Sequence, residues 1–275
     1  MASTKSIQRD SAAPIGVFDS GIGGLTVVRE LIRQLPNESI IYFGDTARVP
    51  YGPKSPDTVL RYSREITSFL RDQGVKALVV ACNTATAHAL PALRAENDLP
   101  IIGVIEPGSR AAARTTRSGN VGVIGTQGTI NSRAYERAIA AVAPNATITA
   151  LACPLFVPLV EEGWLDTEAT RLIAKEYLAP IAARHVDTLV LGCTHYPLLK
   201  DVIGKAVGRN VRLIDSAAET AAETATTLRD AGLAHEATDD ARYRFIASDA
   251  PEQFLRVGQR FLGSSIDRVE TVTLG

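Results

Sequence analysis

Leu78-Val-Val-Ala-Cys-Asn-Thr84 and Leu189-Val-Leu-Gly-Cys-Thr-His195 repeat one pattern 111 residues apart: an apolar run, a small residue, a cysteine, then small or polar side chains. Upstream, Ile15-Gly-Val-Phe-Asp-Ser20 pairs with Val121-Gly-Val-Ile-Gly-Thr126 at the nearly equal offset of 106. Two matches at almost one spacing predict a duplicated chain. In each half a continuous apolar run of strand length ends in polar residues, as in a parallel strand covered on both faces.

Reading on from these runs, Ser39–Phe43, Ala77–Ala81 and Ile101–Ile105 join Ile15–Phe18 as buried strands of the first half. Val121–Ile124, Ile148–Leu151, Thr188–Leu191 and Val211–Ile214 form a second set of four. Helical patterns lie between them, with Leu25, Val28, Leu31, Ile32 and Leu35 on one face and Val59, Tyr62, Ile66, Phe69 and Leu70 on another. This alternation is the α/β pattern of parallel sheets with crossover helices. The expected fold is two similar α/β domains with mostly parallel sheets, related by a pseudo-two-fold axis, with the active site in the cleft between them.

The 275 residues suffice for one large or two medium domains at roughly 100–200 residues each. We place the first domain at 1–106, where Pro107, Gly108 and a run of Arg, Ala, Thr and Ser break the strand pattern. The second is placed at 107–215. The segment 216–275 follows, with a helical Ala/Glu/Thr-rich stretch, a strand at Tyr243–Ala247, a helix near Glu252–Phe261 and a last strand near Val269–Leu274.

Charge and cysteine usage exclude several classes. With 29 Lys and Arg against 30 Asp and Glu, the net charge is −1, which argues against the basic surface that nucleic acid requires. No apolar run approaches membrane-spanning length, and the polar start, residues 1–13, lacks the apolar stretch of a signal peptide. Three cysteines without a close Cys-x-x-Cys pair make no disulfide framework, so a cytoplasmic protein with free thiols is expected.

Cys82 and Cys193 each follow a predicted strand at its carboxyl end, where open α/β sheets bind ligands. Across a pseudo-two-fold axis the two sulfurs would flank one cleft. Two thiols on opposite faces of a carbon, one ionised and one protonated, can invert a stereocentre, since one removes a proton and the other returns one. Cys153 has no counterpart in the other half and reads as a packed core thiol. Asp19 ends the first strand before Gly21-Ile-Gly-Gly24, where it can hold an ammonium, assist Cys82 or simply cap a helix. His195, two residues beyond Cys193, can poise that thiol or protonate a carbanion. Tyr51 and Gly52 sit in a loop with amides for a carboxylate, and Asn83, Thr84 and Thr194 can bind anionic substrate groups or act as ordinary caps. His88, His185 and His235 receive no role.

These residues resemble a known family. Gly16-Val-Phe-Asp-Ser-Gly-Ile-Gly-Gly-Leu-Thr26, Tyr42-Phe-Gly-Asp45 with Pro50-Tyr-Gly52, Ala81-Cys-Asn-Thr-Ala85, Pro154-Leu-Phe-Val-Pro-Leu-Val-Glu161 and Leu191-Gly-Cys-Thr-His-Tyr-Pro-Leu-Leu199 are similar to the motifs of the glutamate racemases, in family order over most of the chain. The resemblance implies a cofactor-independent, two-base interconversion of L- and D-glutamate that supplies D-glutamate for peptidoglycan. It implies Cys82 and Cys193 as the acid/base pair, assisted by Asp19 and His195, with Asp45 and Glu161 as supporting acids. Glu162, adjacent to Glu161, leaves that last assignment open. Substrate contacts implied are Asp19, Ser20, Tyr51, Gly52, Asn83, Thr84, Thr194 and His195. No metal or cofactor is expected, and the implied state is a homodimer whose partner is the small molecule alone, with no nucleic acid or membrane.

Two other classes are weaker. Gly21-Ile-Gly-Gly24 after a strand suggests nucleotide binding, but Thr26 replaces the last fingerprint glycine and Asp19 would face the pyrophosphate. Cys82, Cys193 and His195 can form a soft metal set, yet a metal would occupy the thiolate. An aspartate or other amino-acid racemase is the nearest alternative, because one methylene is worth only ~1–3 kcal/mol of discrimination.

Overall fold

A computed structural model describes residues 10–237 and 241–274; the first nine residues of the polar N-terminal stretch lie outside them. The first half runs β1 (Ile15–Asp19), α1 (Leu25–Gln34), β2 (Ile40–Gly44), α2 (Pro56–Asp72), β3 (Ala77–Val80), α3 (Asn83–Glu96) and β4 (Ile101–Gly103). After α4 (Ile105–Thr115) come β5 (Asn120–Gly125), α5 (Gln127–Asn131), α6 (Ala134–Val142), β6 (Thr147–Ala152), α7 (Phe156–Glu161), α8 (Glu168–Ala183) and β7 (Thr188–Gly192). A 3-10 turn at Tyr196–Leu199 leads to α9 (Lys200–Val207), β8 (Arg212–Asp215), α10 (Ser216–Asp230), β9 (Tyr243–Ala247), α11 (Pro251–Leu262) and β10 (Glu270–Thr271).

Among the described residues the strands form a sheet of order β10-β9-β2-β1-β3-β4 and another of order β6-β5-β7-β8, with every pairing parallel. Thus β2-β1-β3-β4 and β6-β5-β7-β8 are the same arrangement, and β3 and β7, the two strands followed by Cys82 and Cys193, hold equivalent places. The close approach of central strands is repeated too. A Cβ on Gly16 of β1 would meet Leu78 Cδ2 at 2.7 Å, and one on Gly122 of β5 would meet Leu189 Cδ1 at 2.8 Å. Each glycine leaves room for the leucine of the neighbouring strand.

The C-terminal strands extend the first sheet, β9 pairing with β2 from Ile40↔Tyr243 to Gly44↔Ala247. Helix α10 packs on both α1 and α4. At the amino ends of the first sheet, fully buried Lys76 forms an ion pair with Glu38, which also accepts the His235 amide at 2.9 Å. That pairing pins the chain leaving α10 beneath the first sheet.

Helix α2 shows how local sequence sets an element. Ser55 caps it by accepting the Thr58 amide at 3.3 Å, Pro56 occupies its first turn, and Val59, Ile66 and Leu70 are buried. Tyr62 and Phe69 of the expected face pack on Tyr51 and Phe43.

The structure departs from expectation at three places. The stretch after Glu106, read as an interruption, is helix α4: Pro107 falls in its first turn, where its missing N–H costs nothing, and Gly108 lets Ser216 and Tyr135 approach. The strand expected to reach Ile105 stops at Gly103 for the same reason. Strands β6 and β8 are sheet edges and lie mostly half-buried, unlike the covered β5 and β7 between them.

Candidate active site

Strand β3 ends at Val80 and α3 begins at Asn83, which makes Cys82 the helix cap. Its sulfur accepts the Ala85 amide at 3.4 Å, and its thiol donates to Ser20 Oγ at 3.7 Å. Cys82 is buried, and that burial, reinforced by the nearby Asp19 charge, pushes the thiol up to about 12. At neutral pH this sulfur carries its proton.

Cys193 follows β7 in the same way but has different neighbours. Its sulfur lies 3.9 Å from His195 Nδ1, and the far side of the ring, Nε2, lies 3.0 Å from Glu161 Oε1 at the end of α7. Phe261 holds the ring edge-on at 5.1 Å between centroids. Burial alone would lower the imidazole, but hydrogen bonding and charge from Cys193 and Glu161 overcome it and raise His195 to about 10. The charged ring is thereby held against the Cys193 sulfur. Glu161 is the member of its acidic pair that reaches His195, while Glu162 is exposed.

The glycine-rich turn after β1 brings the two halves together. Asp19 Oδ2 accepts the Gly24 amide at 3.0 Å, and Thr26 Oγ1 donates to the Gly23 carbonyl at 2.9 Å. A Cβ on Gly23 would stand 2.6 Å from His195 Nδ1 and would also collide with Thr194 Oγ1, so only glycine lets this turn sit against the Cys193 side. Burial raises the Asp19 carboxyl, opposed by the His195 charge and the amides of Gly24, Ser20 and Gly21. Asp19 Oδ1 and Asn83 Nδ2 are both buried without a hydrogen-bond partner in the protein. One is an acceptor suited to an ammonium and the other a donor suited to a carboxylate, the two charged groups on the α-carbon of an amino acid.

Across from them, Thr84 Oγ1 meets Thr126 Oγ1 at 2.8 Å and Thr129 Oγ1 at 3.2 Å, and the Gly128 amide donates to the Gly52 carbonyl at 2.9 Å. Loop 45–54 and the start of α3 are thereby joined to α5 of the second half. Tyr51 donates its hydroxyl to Asp45 Oδ2, while Arg48 Nε is shared between Oδ2 at 2.8 Å and Oδ1 at 3.0 Å and Ser248 donates to Oδ1 at 2.9 Å. Asp45 therefore grips Tyr51, Arg48 and Ser248.

Of the sequence-derived residues, Asp19, Ser20, Cys82, Asn83 and Thr84 cluster at the first sheet's strand ends, and Cys193, Thr194, His195 and Glu161 at the second's. Cys153 is a packed thiol: fully buried, it donates its amide to Gly125 O at 2.9 Å and its carbonyl accepts the Tyr196 hydroxyl at 2.8 Å. Sequence reading missed Thr126, Thr129, Arg48, Ser248 and Tyr135. Thr126 had a signal, since it stands opposite Ser20 in the repeat; the others are recruited only by folding. Among the described residues no three His, Cys, Asp or Glu side chains are grouped to hold a metal ion, and no helix is long and apolar enough to cross a membrane.

Known proteins resemble this chain in sequence and in fold. The family model for Asp/Glu/Hydantoin racemase matches residues 15–224, a span that includes both cysteine-bearing strands. A glutamate racemase of Geobacter metallireducens is 56% identical over 260 residues, covering 94% of this chain and 96% of its own. The crystal structure of a Bacillus anthracis glutamate racemase superposes with a TM-score of 0.93 at 44% identity, covering 96% of this chain and 98% of that one. One from Francisella tularensis in complex with D-glutamate gives 0.91 at 41% identity, with coverage of 96% and 98%. With its duplicated sheet order, its paired strand-end cysteines and these matches along nearly its whole length, the chain belongs to the Asp/Glu/Hydantoin racemase family.

Proposed function

We propose that this protein racemises glutamate without a cofactor, using Cys82 and Cys193 as the two proton-transfer groups. The observation that carries the reading is the unequal pair: Cys82 buried as a thiol beside Ser20, Cys193 beside an imidazolium that Glu161 supports. In one direction Cys193 as thiolate takes the α-proton, breaking the C–H bond and forming S–H. Cys82 then gives its proton to the opposite face, breaking S–H and forming the inverted C–H. The sulfurs end in exchanged states, and the reverse reaction restores them. His195 holds the charge on Cys193, and Glu161 keeps His195 protonated and oriented.

In this reading Asp19 receives the substrate ammonium and Asn83 its carboxylate, with Ser20, Thr84, Thr194 and the Tyr51–Gly52 loop completing the enclosure. Asp45 acts by holding Tyr51 rather than by transferring a proton. Glutamate is favoured over aspartate because the highly identical relatives of near-equal length are glutamate racemases. A cytoplasmic homodimer supplying D-glutamate for peptidoglycan completes the reading; the three free cysteines suit a reducing compartment.

The test is a circular-dichroism assay of L-glutamate, D-glutamate and both aspartates with purified protein, no added cofactor and a chelator present. Racemisation of both glutamate enantiomers, with aspartate far slower, is expected. Turnover of aspartate alone, or dependence on an added cofactor, would overturn the reading. Sedimentation of the same sample tests the dimer.

A further inference from the structure

Tyr135 lies on α6, remote in sequence from every residue of the proton path, and is buried with 1% exposure. Its hydroxyl donates to Asn83 Oδ1 at 2.7 Å, crossing from the second half to the residue beside Cys82. The ring is set against Gly192, the residue before Cys193: a Cβ there would stand 2.9 Å from Tyr135 Cε2. One side chain thus touches the immediate neighbours of both cysteines. At the head of α10, Ser216 stands near the phenol: its Cβ and the phenol oxygen both face Gly108.

A side-chain amide presents an acceptor on one side and two donor hydrogens on the other, and a half-turn exchanges them. Asn83 serves a carboxylate only in the orientation that turns Nδ2 to it. In the other, its oxygen would confront the carboxylate, two acceptors with no proton between them. Nδ2 is the buried atom without a protein partner, whereas Oδ1 is held by Tyr135. We propose that Tyr135 is a positioning residue whose hydroxyl locks the Asn83 amide so that Nδ2 faces the substrate carboxylate. The proposal rests on the racemase reading of the site. It also makes carboxylate binding depend on how the two halves sit together, because donor and amide belong to different sheets' helices.

Tyr135→Phe removes one oxygen and keeps the ring that packs on Gly192. Steady-state kinetics with each glutamate enantiomer should show KM raised about tenfold and kcat within about threefold of the wild type, with an unchanged pH profile, because the lost contact is equal in ground and transition states. In an Asn83→Ala background the same change should add less than twofold, since the amide it orients is gone. An unchanged KM in Tyr135→Phe, or an equal further loss in the Asn83→Ala background, would overturn the proposal. If Tyr135→Phe does not fold, 4-fluorophenylalanine at position 135, which fills the space of the hydroxyl without its proton, decides: a raised KM at constant kcat supports the proposal, and an unchanged KM refutes it. Wild-type protein inactive on glutamate would instead refute the racemase reading.

Discussion

His195 stands with Nε2 3.0 Å from Glu161 Oε1 and its other nitrogen turned to Cys193. The ring can therefore stay protonated in a buried site, because a carboxylate balances it on one side and a sulfur on the other. His195→Gln should lower kcat by about 10²–10⁴-fold, the usual range for a proton-transfer assistant. Glu161→Gln retains a neutral acceptor for Nε2 and should cost roughly tenfold, the difference between a charge-assisted and an ordinary hydrogen bond. Glu162→Gln, on the exposed neighbour, should leave kcat unchanged. Comparable losses at both glutamates would show that Glu161 is not the partner that matters.

The contrast between the sulfurs is open to chemical modification. Cys82 is held as a thiol with its pKa pushed up to about 12 by burial and the Asp19 charge. Its alkylation by iodoacetamide, mapped by mass spectrometry, should rise about tenfold per pH unit from pH 7 to pH 9, since only the thiolate reacts. His195→Gln should slow modification of Cys193 and leave that of Cys82 unaltered. A Cys82 rate that levels off below pH 9 would contradict its protonated state.

The repeated glycines give a test of packing. Ala in place of Gly16 or Gly122 would put a methyl at 2.7 Å from Leu78 or 2.8 Å from Leu189. Each variant should lose ~1–3 kcal/mol of stability by overpacking, more at Gly16, where Val75 Cγ1 would also stand at 3.1 Å, than at Gly122, where Ile181 stands at 3.4 Å. Truncating the facing leucine to Ala in the same molecule should recover part of the overpacking loss. Thermal unfolding of single and double variants measures both.

Asp187 secures the connection between the halves. Its carboxylate accepts the amides of Arg117 and Ser118, both at 2.7 Å, and the Thr116 hydroxyl at 2.6 Å. Burial opposes ionisation, yet these bonds with Thr188 hold its pKa below the usual carboxylate range. A depressed folded pKa stabilises above the unfolded value, ~3.9, and the stabilisation is lost as pH falls through the folded one. Asp187→Asn should cost on the order of 1–2 kcal/mol at pH 7, allowing for partial exposure. The gap from wild type should narrow steadily below pH 4; a gap at pH 2 as large as that at pH 7 would show that charge is not the cause.

The strand runs were legible because β1, β2, β3, β5 and β7 are covered on both faces and so read as unbroken apolar runs. Cys82 and Cys193 were legible because the duplication marks them twice. Helix α4 was obscured by Pro107 and Gly108, which read as breakers along a sequence but are harmless in a first turn or a close packing contact. Glu161 could not be told from Glu162 by sequence, since only the ~100° turn between successive helix residues decides which faces His195. Tyr135 left no local trace at all: its meaning is the bond to Asn83, 52 residues away in sequence, and exists only once the two halves are assembled.

In the proposed two-sulfur mechanism the α-proton leaves to one sulfur and a different proton arrives from the other. Incubating L-glutamate with the enzyme in D2O and following Cα–H by NMR, with the enantiomers separated at early time, tests it most directly. D-glutamate carrying deuterium at Cα is expected from the first turnover while the remaining L-glutamate keeps its protium, with the mirror result from D-glutamate. D-glutamate that retains the substrate's own α-proton would show a single group returning it to either face and would contradict the two-sulfur mechanism.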